Sequence, residues 1–176
     1  MTTEQAKTLA ALKIALRMEI DGKDCYLEAS RQSGNEVGRK LLRSLADEED
    51  NHRQNFEKIY EAIRRKKAWP KMAIEAGRGS QLRSGFVGSC QVVGVGAKGG
   101  AADFAAINTA VEKEKQSYDF YHRQSQQAVY DAEREFFQAL AAEERQHELI
   151  LLDYYEYLAD PAGWFVKSEH HSLDGG

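Results

Sequence analysis

Between Leu42 and Ile63 the chain places a Glu-x-x-His pair on a helical stripe that is otherwise apolar. Positions three and four apart read Leu42, Leu45, Glu49, His52, Phe56, Ile59 and Ile63. Such spacing marks one face of an α-helix and excludes a strand, whose faces alternate every second residue. A carboxylate in the middle of a buried stripe is costly unless a cation or hydrogen-bond donors compensate it. The pattern returns as Phe137, Leu140, Glu144, His147, Leu151, Tyr154 and Leu158. Whatever this chain folds into must answer that polar interruption twice.

The recurrence is part of a longer echo. One offset of 95 residues maps Ala15 to Ala110, Glu19 to Glu114, Tyr26 to Tyr121, Leu45 to Leu140, Glu48 to Glu143, Glu49 to Glu144 and His52 to His147. A single offset across two helices of each half describes a duplicated helical hairpin, too few repeats for a solenoid. The predicted fold is all-α, a four-helix bundle made of two hairpins joined by a long crossover.

The first helix runs from Thr3 to about Ser30, with Leu9, Leu12, Leu16, Glu19, Lys23 and Tyr26 on its stripe. Ser33-Gly34-Asn35 forms a tight turn, with Gly34 at the helix C-terminus and Asn35 as the next N-cap. The second helix extends from Glu36 to about Lys67 and stops before Trp69-Pro70. Arg64-Arg65-Lys66-Lys67 is its cationic last turn, favoured by the helix dipole. Residues 68–102 read as a glycine-rich crossover loop, with an extended, packed piece around Val92, Val93 and Val95. Asp103 is the expected N-cap of the third helix, whose stripe holds Phe104, Ile107, Val111, Glu114, Tyr118 and Tyr121. A break at Val129-Tyr130-Asp131 precedes the fourth helix, which ends at Asp160-Pro161. The bundle thus covers residues 1–160, and the tail 161–176, with Trp164 and Phe165, folds back on it. His170-His171 is read as an ordinary pair, since no partner stands at ligand spacing.

Composition removes other classes. A net charge of −4 over 176 residues argues against nucleic-acid binding, which needs a basic face. No apolar run approaches a membrane span, and Met1-Thr2-Thr3-Glu4-Gln5 lacks a signal pattern, so a cytoplasmic location is expected. Cys25 and Cys90, one in a helix and one in a loop, make neither a Cys-x-x-Cys site nor a disulfide framework.

Each half supplies one glutamate from its first helix and a Glu-x-x-His from its second. The candidate site residues are therefore Glu19, Glu49, His52, Glu114, Glu144 and His147. Four buried carboxylates left empty would repel and hold protons; two divalent cations would neutralise them. Mixed oxygen and imidazole ligands suit iron or manganese, with zinc possible and no soft-metal preference. Tyr26 and Tyr121, one heptad beyond Glu19 and Glu114, are either hydrogen-bond donors to those carboxylates or plain core aromatics. Glu48 and Glu143 either orient a histidine across the bundle or lie on the surface.

These residues resemble the ferritin-like di-iron carboxylate superfamily, whose bundle site uses this set of side chains. Within it, the run Glu19-Ile20-Asp21-Gly22-Lys23-Asp24-Cys25-Tyr26 and the pairs Glu49-Asp50-Asn51-His52 and Glu144-Arg145-Gln146-His147 are similar to rubrerythrin-type proteins. The resemblance implies two iron ions bridged by Glu49 and Glu144, with Glu19 and His52 completing one and Glu114 and His147 the other. It also implies reduction of hydrogen peroxide or dioxygen, or Fe(II) oxidation in iron handling. A metal-binding bundle without catalysis is the remaining alternative. The chain departs from full-length rubrerythrins in lacking a rubredoxin domain, so a separate electron-donor protein is implied. It also carries Ser117 where they have a further carboxylate. The glycine-rich crossover suits exchange of hairpins between chains, and a homodimer is expected.

Overall fold

The computed structural model describes residues 3–65, 68–70, 78–94, 96 and 98–173, with side chains between 5 and 167. Six helices follow one another: α1 (Thr3–Gln32), α2 (Glu36–Arg64), α3 (Arg78–Val93), α4 (Ala101–Gln127), α5 (Asp131–Ala159) and α6 (Pro161–Leu173). No strand occurs among the described residues, and no helix there is long and apolar enough to cross a membrane. The fold is the all-α bundle that the periodicity predicts. α1 packs on α2, α4 packs on α5, and the two hairpins meet chiefly where α1 lies against α4.

Local chemistry accounts for the helix limits. The Asn35 side chain accepts from the Gly38 N–H at 3.0 Å, which caps α2 as the sequence suggests. Gly38 also lets α5 approach closely, because a Cβ there would lie 1.7 Å from Tyr154 Oη. Gly34 does not use the left-handed region; among the described glycines only Gly94, which ends α3, has a positive φ, at 76°. Asp103 is not the N-cap of α4. Gly100 holds that place, and Asp103, inside the first turn, accepts the Gly100 N–H at 3.0 Å.

The apolar side chains form two clusters. One gathers Tyr26, Leu42, Leu45, Ile107, Val111, Leu151, Tyr154 and Trp164 towards the α1–α2 turn. The other gathers Leu9, Leu12, Phe56, Ile59, Tyr121, Phe137 and Leu140 towards the opposite end. On every helix of the bundle the candidate site residues fall between them. The α2 and α5 stripes are buried throughout, as expected. The α1 stripe shifts by one position: Ala15 and Gly22 are buried in the seam, whereas Leu16 and Lys23 stand half-buried beside it.

The crossover departs most from expectation. It is not all loop: α3 lies against both α2 and α5. Arg83 pairs with Asp153 at 2.6 Å. Phe86 is buried among Tyr154, Tyr157 and Trp164 in edge-to-face contacts with centroids 5.8–6.1 Å apart. Cys90 is therefore in a helix and fully buried. Val92 and Val93 are not an extended packed piece; they end α3 at 89% and 59% exposure. The glycines misled because Gly85 and Gly88 sit on open faces of α3 with nothing within 4 Å, where their cost is propensity alone. The tail forms α6, which buries Trp164 against Tyr157 and Phe86. Lys66, Lys67, Val95 and the side chains of His170 and His171 fall outside the described residues.

Truncating Phe86 should reveal this helix as part of the core. Phe86→Ala is expected to cost about 3–5 kcal/mol in urea unfolding, whereas Val92→Ala stays within about 0.5 kcal/mol.

Candidate metal centre

The four long helices bring six ionisable side chains into the layer between the two apolar clusters. Glu19 comes from α1, Glu49 and His52 from α2, Glu114 from α4, and Glu144 and His147 from α5. All are buried, none more than 4% exposed. Their ligand atoms form two overlapping groups, Glu19–Glu49–His52–Glu144 and Glu49–Glu114–Glu144–His147, each with its atoms within 4.8 Å of one another. Glu49 and Glu144 belong to both. His52 Nδ1 stands 3.3 Å from Glu19 and 3.4 Å from Glu144. His147 Nδ1 lies 3.3 Å from Glu49 and 3.6 Å from Glu114. The two imidazoles stack with centroids 5.8 Å apart.

The protein leaves this cluster underpaired. Glu19 Oε2, Glu49 Oε1, Glu114 Oε2, both Glu144 oxygens, His52 Nδ1 and both His147 nitrogens lack a hydrogen-bond partner although buried. Among the described residues, only Trp69 Nε1 and Asp103 Oδ1 otherwise share that condition. Buried polar atoms are ordinarily satisfied, so a concentration of orphaned oxygens and imidazole nitrogens facing one centre fits bound cations. All are hard or borderline donors and none is a thiolate, which suits iron, manganese or zinc.

Without metal, the electrostatics favour protons. Burial and the charges of Glu144, Glu19 and Glu114 push the Glu49 carboxyl well above its usual range. Burial and Glu144 push Glu114 up to about 8. Burial opposes charge on His52, but the neighbouring Glu19 and Glu144 outweigh it and raise the imidazole. Burial likewise opposes charge on His147, but the nearby carboxylates of Glu114, Glu144 and Glu49 outweigh it and raise the imidazole. Glu144 alone goes the other way; burial pushes it up, yet His147 and His52 hold it below the carboxylate range.

Both tyrosines are hydrogen-bond donors, and they cross between the halves. Tyr26 on α1 donates to Glu114 Oε1 on α4, and Tyr121 on α4 donates to Glu19 Oε1 on α1. Burial first, then the Glu114 charge for Tyr26 and the Glu19 charge for Tyr121, raise both phenols well above their usual value. They remain protonated donors and tie the hairpins together at the polar layer.

Glu48 and Glu143 do not reach a histidine. Glu48 pairs with Arg78 at 3.0 Å, and Glu143 accepts the Gly79 N–H at 3.3 Å. They hold the N-terminus of α3 against α2 and α5, where its dipole favours their carboxylates. A Cβ on Gly79 would lie 2.4 Å from Gln146 Cβ, so that approach is close. This function of Glu48 and Glu143 was hidden because α3 itself lies within a stretch that reads as loop.

The rubrerythrin family model matches residues 10–155, most of the chain, and the chain belongs to that family. Comparisons with curated proteins and with solved structures gave no match.

Metal loading should displace protons. Cations need Glu49, Glu114 and both imidazoles deprotonated, and those groups are raised in the metal-free protein. Binding in weakly buffered solution at pH 7 should acidify it, with affinity rising from pH 6 through about 8. Raised groups contribute stability that is lost as pH rises through their folded values. The metal-free protein should therefore unfold more easily at pH 8.5 than at pH 6, and the stability gained from metal should be larger at pH 8.5. Glu144 is held low and acts only in acid, outside this window.

Proposed function

We propose that this member of the rubrerythrin family is a di-iron oxidoreductase that reduces hydrogen peroxide or dioxygen. The observation that supports it most is the cluster of orphaned carboxylate and imidazole atoms in two groups that share Glu49 and Glu144. In this reading Glu49 and Glu144 would be shared by two iron ions, Glu19 and His52 would hold one, and Glu114 and His147 would hold the other. A pair of ferrous ions held there would supply the two electrons that, with two protons, convert hydrogen peroxide to two waters.

The chain's own residues have separable tasks. Apolar clusters on either side exclude bulk water, which strengthens every charge interaction in the layer. Tyr121 Oη and Tyr26 Oη hold Glu19 and Glu114 by one oxygen each, leaving the Oε2 atoms to face the centre. Being protonated and buried, the phenols fix those carboxylates in place, as partners behind metal ligands commonly do, and by donating to them they favour the charged form.

These 176 residues hold no Cys-x-x-Cys pair, so the reducing electrons would reach the site from an electron donor outside them. Where the resemblance to full-length rubrerythrins implies a further carboxylate, this chain has the half-buried Ser117. That substitution supports a second reading, in which dioxygen oxidises Fe(II) for iron handling and peroxide is the poorer substrate. We further propose a cytoplasmic homodimer, in which hairpins could exchange through the crossover.

Anaerobic loading with Fe(II), then stopped-flow mixing with hydrogen peroxide or dioxygen, tests this reading. Rapid oxidation with oxidant consumption is expected, and an inert loaded protein would contradict it. Tyr121→Phe should retain the fold but weaken metal binding by about 10–100-fold, the usual loss when a ligand's hydrogen-bond partner is removed; isothermal titration reads it directly.

A further inference from the structure

Gly22 lies in the buried seam of α1, one turn after Glu19. Glycine is a poor residue for a helix interior and alanine is the best. The backbone does not require glycine here, since Gly22 has no positive φ. Space does. A Cβ on Gly22 would stand 3.0 Å from Glu49 Oε2, 3.4 Å from its Cδ and 3.6 Å from its Cγ. The volume that a side chain would fill is occupied by the carboxylate common to both ligand groups.

The two halves differ at this point. The 95-residue offset maps Gly22 to Ser117 and Glu49 to Glu144. Neither Glu144 oxygen accepts a hydrogen bond, so the Ser117 hydroxyl does not hold the second shared carboxylate. The Glu49 side has an unfilled position on α1; the Glu144 side has a side chain at the equivalent place. Gly85 and Gly88 provide an internal contrast, because a Cβ on either meets nothing within 4 Å.

We propose that Gly22 is a positioning residue for Glu49: the space it leaves sets the carboxylate where both ligand groups can share it. This rests on the two-metal reading of the site. In the metal-free protein the carboxylate ends a flexible side chain and can yield to a methyl group. With metals bound it is held from the opposite side, and the same methyl presses on a fixed group. Alanine at this position therefore costs more in the metal-bound state than in the metal-free one.

The test uses the full chain, with cobalt(II) as the spectroscopic probe under anaerobic conditions and thermal unfolding of the metal-free protein alongside. Wild type should take up two cobalt ions; if it takes up none, the two-metal reading fails and this inference with it. Given uptake by wild type, Gly22→Ala should weaken at least one site by about tenfold or more and alter the ligand-field bands. Gly85→Ala should bind as wild type does. Metal-free Gly22→Ala should melt at the wild-type temperature or up to roughly 4 °C above it. Unchanged cobalt affinity and spectrum in Gly22→Ala would overturn the proposal while leaving the two-metal reading intact. If metal-free Gly22→Ala is less stable than wild type, a cycle with Glu49→Ala decides. Loss of the penalty once the carboxylate is gone supports the proposal, and a penalty that persists overturns it.

Discussion

Four carboxylates held in one buried layer are the constraint on which this structure depends. Glu19, Glu49, Glu114 and Glu144 are each at most 3% exposed, and among the described residues two imidazoles are the only basic side chains paired with them. Like charges at such range cannot all ionise in a low-dielectric interior. The cluster therefore holds protons or holds cations. The apolar clusters on either side separate it from bulk solvent.

The helices answer that constraint through geometry. A Glu-x-x-His on one face places two donors a turn apart, and antiparallel packing sets the pair on α2 level with the pair on α5. The crossed tyrosine bonds then fix the first-helix glutamates. Tyr26 secures Glu114, and Tyr121 secures Glu19. Each hairpin thus restrains a candidate ligand of the other, which couples docking of the two halves to order in the site. α3 closes the α2–α5 side, anchored by Glu48 and Glu143 from positions adjacent to Glu49 and Glu144. Neighbouring residues on one helix consequently serve the centre and its cover.

Much of this is legible in the sequence, for physical reasons. Glu49-x-x-His52 and Glu144-x-x-His147 stand out because charge in an apolar stripe is rare and costly, and the repeat at one offset identifies the fold. The crossed hydrogen bonds are not legible, since periodicity assigns Tyr26 and Tyr121 a face but not a partner on another helix. α3 escaped because glycine lowers helix propensity whether or not packing repays it; Phe86 and Cys90, buried against α5, repay it here. Gly22 escaped for the opposite reason. A residue without a side chain gives no hydropathy signal, and its importance lies in what another residue puts in the space. Asp103 was a cap of another kind, because Asp at the third helical position serves the N-terminus as readily as Asp at the N-cap.

The central claim is that the buried layer is a two-metal site. Anaerobic equilibrium titration of the full chain with Fe(II) measures it most directly, with free metal read independently of any reaction. The account predicts tight uptake that breaks at two ions per chain, and loss of that stoichiometry when Glu49 or Glu144 is replaced by alanine. Saturation at one ion, or uptake unaffected by either substitution, would contradict it.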